Sequence, residues 1–95
     1  MNLDETGIFR ERRFTVRNVI KRLLDVEMGS DVRSYRIVLA DCSTVIEGTE
    51  TKIYSVIKKL LRQDLNLEVA HFVLISGESG IRLTSTGIRD FRVGG

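Results

Sequence analysis

Two stretches of this 95-residue chain repeat apolar residues at the spacing of one helix face, and they constrain its fold more than any other feature. In residues 14–29 the apolar positions are Val16, Val19, Ile20, Leu23 and Leu24. In residues 49–65 they are Ile53, Val56, Ile57, Leu60 and Leu61. Apolar side chains three and four positions apart lie on the same side of an α-helix. Because a chain of this length supports one core, the sequence predicts two amphipathic helices in a single domain.

Short polar residues mark the start of both predicted helices. Thr15 is predicted to be the N-cap of the first, with Phe14 and Val19 at the positions of a hydrophobic staple, and Gly29 suits the residue after its last turn. Thr49 is predicted to cap the second helix, which is expected to cover about residues 49–64.

The segment between the helices is ambiguous. Residues 35–40, "YRIVLA", place four apolar residues in a row, and their β-branched Ile and Val favour a buried strand. Val32, Tyr35 and Leu39 also fit one helical stripe. Both a short helix and a strand followed by a turn remain possible before Gly48.

The last third of the chain is typical of a β-hairpin. Residues 69–75 form a dense run of strand-forming side chains, "SGESG" at 76–80 is a polar turn flanked by glycines, and residues 81–84 alternate apolar and polar positions. Gly87 and the following "IRDF" then predict a break and a return of the chain, with Phe91 covering the core.

This order of elements, ending in "LTSTG", resembles the winged helix-turn-helix family. In many members the second wing strand runs into a Leu-Thr-x-x-Gly signature followed by an apolar residue, and here Leu83, Thr84, Gly87 and Phe91 fill those positions. The stretch "TKIYSVIKKLLRQDL" is similar to the family's recognition helix. The resemblance implies an α+β, winged-helix fold in which the C-terminal hairpin is the wing. Residues 1–12 would then form a flexible arm and residues 13–95 a single domain.

The resemblance also implies a function. The helix over about 49–64 would enter the major groove of duplex DNA, as expected of a transcriptional regulator, and a homodimer would suit palindromic sites. Residues early in that helix would contact base edges: Thr49, Thr51, Lys52 and Ser55. Lys58, Lys59 and Arg62 would contact phosphates, and Arg82 would offset the acidic Glu78 of the wing tip.

The alternative is a two-layer α/β sandwich with the element order αββαββ. In it, residues 35–40 pair with the C-terminal hairpin in one sheet that both helices back. Such a protein would be a non-enzymatic protein-interaction or assembly module without affinity for DNA. An extended conformation at residues 35–40 would favour this alternative.

Composition limits the remaining classes of function. Hydrophobic residues make up 42% and charged residues 29%, which is typical of a globular protein, and the net charge of +2 is too small to predict a nucleic-acid partner by itself. The chain has a single cysteine, Cys42, and a single histidine, His71, which are too few for a metal site. His71 is expected to be half-buried in its apolar run. We therefore expect no enzyme activity, metal or cofactor. The single cysteine and the short apolar runs predict a cytoplasmic protein without a membrane span.

Overall fold

The computed structural model describes residues 14–25, 31–41 and 44–93, in which two helices cover one face of a five-stranded antiparallel sheet. In chain order the elements are α1 (Val16–Asp25), β1 (Asp31–Leu39), β2 (Val45–Lys52), α2 (Ile53–Leu60), β3 (Val69–Ser76), β4 (Ser79–Thr84) and β5 (Gly87–Arg92). The strands lie in the order β2-β1-β3-β4-β5. Each neighbouring pair is antiparallel.

The fold belongs to the α+β class, but the winged-helix prediction is wrong. A winged helix requires a helix immediately before its recognition helix, whereas here that segment forms β1 and β2. Residues 35–39 are extended and lie inside the sheet, where Tyr35 pairs with Gly48 on one side and with Leu74 on the other. The two-layer alternative differs from the structure by one strand, because β5 follows the hairpin and gives the order αββαβββ.

The core lies between the two helices and one face of the sheet. From Tyr35 onward, alternate residues of β1 point into it, so Tyr35, Ile37 and Leu39 are buried while Arg36 is exposed. The largest side chains that are fully enclosed are Phe72, Leu23, Ile37, Leu39 and Leu60. Because these residues come from both helices and from β1 and β3, the core forms only when distant parts of the chain meet.

The N-cap predicted for α1 is confirmed. The Thr15 hydroxyl oxygen accepts a 3.4 Å hydrogen bond from the backbone N–H of Asn18, and the Asn18 side-chain oxygen accepts one of 2.9 Å from the Thr15 N–H. This reciprocal pair satisfies two donors at the helix start. The apolar face is narrower than predicted, because Leu24 is 64% exposed.

The prediction for the second helix is wrong at both ends. α2 begins at Ile53, and Thr49 lies in β2, so it does not cap the helix. The backbone of residues 45–52 pairs with β1, and this ladder competes with a helical turn for the same N–H and C=O groups. Residues 61–64, also predicted as helical, lie beyond the helix, where Leu61 and Arg62 form a turn and Gln63 a bend.

The β3–β4 hairpin is confirmed, and its turn holds Gly77 at a φ of 63°. The prediction for the following segment is wrong, because Gly87 starts β5 and a second hairpin. The Thr84 hydroxyl donates a 2.8 Å hydrogen bond to the Gly87 carbonyl and accepts one of 3.2 Å from the Thr86 N–H, which closes this turn. Phe91 consequently lies on the sheet face opposite the core.

The expected half-burial of His71 is wrong, because alternation with the buried Phe72 puts His71 on the sheet face opposite the core. Val38 pairs with His71 and Leu39 pairs with Val69, so Ala70 is an extra residue in β3. Such a bulge reverses which face the following side chains occupy. Val69 is therefore buried in the core while His71 is exposed on the other face.

Several expectations fall outside the described residues: the arm at residues 1–12, the helix-ending role of Gly29 and the environment of Cys42. Neither described helix has the length and apolar character that crossing a membrane requires.

Candidate functional site

The structure does not bring the predicted DNA-contacting residues onto one surface. Thr49, Thr51 and Lys52 belong to β2, while α2 carries Ser55, Lys58 and Lys59, and Arg62 follows it. Arg82 lies on β4, two strands away from β1. The expected continuous basic helix face is therefore absent from the described part of the chain.

Two of the predicted lysines are engaged within the protein. The ammonium of Lys59 donates a 2.7 Å hydrogen bond to the hydroxyl of Tyr35 and lies 5.4 Å from the centre of that ring. Lys52 lies 2.6 Å from a carboxylate oxygen of Asp31. The hydrogen bond to Asp31, followed by its charge, raises the pKa of Lys52 above the ordinary value of 10.5. Both lysines thus serve contacts between elements.

The sheet face opposite the helices carries a different basic surface. Paired residues of an antiparallel sheet project to the same face, so the register aligns side chains across all five strands. One such row runs Glu47, Arg36, Val73, Arg82 and Arg89. We call it the arginine row. Its neighbour runs Thr49, Ser34, Ile75, Gly80 and Phe91.

The arginine row places two like charges directly opposite each other. Arg82 pairs with Arg89 across the β4–β5 ladder, and both side chains are exposed. Like charges at such positions destabilise a sheet. Neither arginine forms an ion pair among the described residues, where the ion pairs belong to Lys52 and to other arginines, including one of 3.5 Å between Arg36 and Glu47. The Nε of Arg89 donates a 3.2 Å hydrogen bond to the Thr86 hydroxyl.

The guanidinium of Arg82 is held over an aromatic ring. Its central carbon lies 4.9 Å from the centre of the Phe91 ring, a distance typical of a cation–π contact. The ring in turn lies on Gly80, where an added Cβ would overlap it. Gly80, Phe91 and Arg82 therefore form a layered cluster, which we call the Arg82 stack.

The sheet face opposite the helices, which we call the open face, brings together Thr49 and Arg82, both predicted DNA contacts, with Phe91, which was predicted to cover the core. It also carries Arg36 and Arg89, which were not predicted as site residues. A signal for Arg89 is present in the sequence, since a turn at Ser85 and Thr86 pairs it with Arg82. The predicted end of a wing at Gly87 left no second strand with which Arg82 could pair.

Other kinds of site find less support in the described residues. No group of three or more His, Cys, Asp or Glu side chains in them is arranged to hold a metal ion. Comparison with protein-family models, with curated proteins and with solved structures found no match to this chain. The chemistry of the open face is thus the main guide to function.

Proposed function

We propose that the protein is a non-enzymatic nucleic-acid-binding module that holds a single strand on its open sheet face. Arg36, Arg82 and Arg89 would contact phosphates, and Thr49 would lie at the edge of the same surface. The observation that carries the proposal is the exposed Arg82–Arg89 pair. An anionic partner would neutralise the repulsion between these two side chains. Binding would therefore recover the stability that this repulsion costs the free sheet.

The spacing of the arginine row suits a polymer better than a single phosphate. Neighbouring strands lie about 4.8 Å apart, so Arg36 and Arg89, three strands apart in the row, are separated by roughly 14 Å. One phosphate cannot reach both positions. A chain of phosphates can bridge them, and its binding releases counterions at each contact.

A single strand suits this surface better than a duplex does. Reading the major groove requires a helix or a two-stranded ribbon that protrudes from the protein. Here α2 lies on the other side of the sheet with Ile53, Val56 and Leu60 buried. Because the protein does not have a winged-helix fold, it cannot dock to the major groove in the way that a winged helix does. Binding of duplex DNA by a cytoplasmic transcriptional regulator stays a prediction.

Titration of the chain with a fluorescent oligothymidine, a single-stranded RNA and a duplex tests the proposal. For three phosphate contacts, the logarithm of the affinity for a single strand should fall against the logarithm of salt with a slope of about −2. Arg36→Ala, Arg82→Ala and Arg89→Ala should each make the slope shallower by about 0.7.

Lys58→Ala and Arg62→Ala are matched controls, because they remove the same charge from the helical layer. They should leave the slope unchanged. Affinity that is indifferent to salt, or an equal loss in the controls and in the arginine variants, would contradict the assignment of the open face.

A second candidate function is protein interaction through α2. Tyr54 and Leu61 are 60% and 56% exposed, and a separation of seven residues puts them on the same side of the helix. The ammonium of Lys58, between them, lies 5.7 Å from the Tyr54 ring. A second copy of the chain could cover this stripe by pairing the two helices antiparallel, which would give the expected homodimer.

Sedimentation equilibrium over a range of protein concentrations tests this second function. Wild-type protein should dimerise, and Leu61→Lys should shift it to the monomer, whereas Leu24→Lys on α1 is a matched control at another exposed leucine. A wild-type monomer at every concentration would rule out this use of the stripe.

A further inference from the structure

We propose that the Arg82 stack is a platform for an unpaired nucleobase, which lies on the guanidinium plane of Arg82. The inference rests on the proposed function and adds to it a requirement for bases. It assigns Arg82 a different role from Arg89, although the two residues are paired and carry the same charge.

The Arg82 side chain is already positioned before a ligand binds. Its guanidinium lies over Phe91, and the ring is fixed on Gly80 because that position has no side chain. A base that stacks on a positioned plane loses less conformational entropy than one that must order a free arginine. The cluster is therefore preorganised for a flat ligand.

The outer side of the Arg82 guanidinium plane is open. Arg82 is exposed, and no described acidic residue forms an ion pair with it. A guanidinium presents a flat face for stacking while its N–H groups, which lie in the plane, remain available for phosphate oxygens. One residue can then contact a base and an adjacent phosphate of the same strand.

The surroundings of Arg89 differ from those of Arg82. The Nε of Arg89 donates a hydrogen bond to the Thr86 hydroxyl, and among the described residues no aromatic ring lies beneath the Arg89 guanidinium. Arg89 is therefore suited to phosphate contact alone. The pair thus divides into a stacking arginine and an electrostatic arginine.

The matched variants Arg82→Lys and Arg89→Lys test this division, because each keeps its positive charge and loses its planar group. The two ligands are an oligothymidine and an abasic deoxyribose-phosphate strand of the same length. Arg82→Lys should lower affinity for the oligothymidine about 5- to 150-fold, the range for one stacked base, with less than about a twofold effect on the abasic strand. Arg89→Lys should change either affinity by less than about threefold.

A second measurement reports on the base directly. The chain contains two tyrosines and no tryptophan, so Phe91→Trp introduces a single indole, which can be excited selectively, beneath Arg82. The oligothymidine should quench its emission and the abasic strand should not, since only the former brings a base to the stack.

The outcomes separate the two proposals. Equal wild-type affinity for the two strands, or equal effects of the two lysine variants, would overturn the stacking inference and leave phosphate binding intact. Failure of the wild-type protein to bind either strand at low salt would overturn the proposed function itself.

Discussion

The ammonium group of Lys59 donates a 2.7 Å hydrogen bond to the hydroxyl of Tyr35, and this contact joins α2 to β1. Tyr35 lies 24 residues earlier in the chain, so the bond links two elements that only the tertiary fold brings together. It also explains why a lysine predicted to contact DNA is committed to the protein's own sheet.

Tyr35→Phe should therefore lower the free energy of unfolding by about 1–2 kcal/mol, because it removes the acceptor of a hydrogen bond from a charged donor. Urea denaturation measures the change. Salt-dependent affinity for a single strand should be unaffected, as Tyr35 faces the helices. A variant as stable as the wild type would show that the bond contributes nothing.

Gly48→Ala should destabilise the protein because the Tyr35 ring occupies the space of a side chain at that position. An added Cβ would lie 2.9 Å from the Tyr35 oxygen and 3.0 Å from a ring carbon. Such crowding costs about 1–3 kcal/mol. In a double-mutant cycle, Tyr35→Leu should relieve most of the cost, and strictly additive effects would contradict the proposed clash.

Arg89→Glu should have opposite effects on stability and on binding. It replaces a like-charge pair with an opposite-charge pair across β4 and β5, which should raise the free energy of unfolding by about 0.2–1 kcal/mol. It should also weaken binding of a single strand. The slope of log affinity against log salt should become shallower by more than about 0.7, the contribution of one phosphate contact.

Urea denaturation and titration with the oligothymidine, performed on the same preparation, check both effects. Arg89→Gln is the intermediate control, since it removes the repulsion without adding an attraction. A loss of stability in Arg89→Glu would show that the two arginines do not repel each other in the free protein.

The Lys52–Asp31 pair should produce a pH dependence at alkaline pH. The folded-state pKa of Lys52 is raised above 10.5, so the stabilisation from the pair is fully present below that value. It is lost as the pH rises through the raised folded-state pKa. Titration of the Lys52 side chain by NMR in the wild type and in Asp31→Asn checks the shift, which the variant should reduce. An unchanged titration midpoint would rule out Asp31 as its cause.

Local sequence signals identified the elements whose ends are fixed by nearby residues. Thr15 and Asn18 lie three positions apart and close the start of α1 by themselves, and Gly77 allows the turn between β3 and β4. The spacing of Val16, Val19 and Leu23 likewise indicated the buried face of α1 correctly. Each of these features depends on contacts within a few residues.

The errors occurred where distant pairing decided the outcome. Residues 49–52 have the polar composition of a helix start, but their backbone pairs with β1, so Thr49 became a strand residue. The signature "LTSTG" fits a wing ending as well as it fits a turn, and only the pairing of β4 with β5 placed Phe91 and Arg89 on the open face. The bulge at Ala70 is an effect of the same kind, because it turns Val69 into the core while His71 lies on the open face.

The sequence by itself determined an α+β chain with two amphipathic helices and a C-terminal hairpin, because periodicity and caps act over one or two turns of backbone. Only the tertiary structure decided which basic residues share a surface. Strand register sets that choice, and register depends on hydrogen bonds between segments far apart in the chain. The candidate site accordingly lies on the sheet, where Arg82 meets Arg89, and not on the helix that the local pattern favoured.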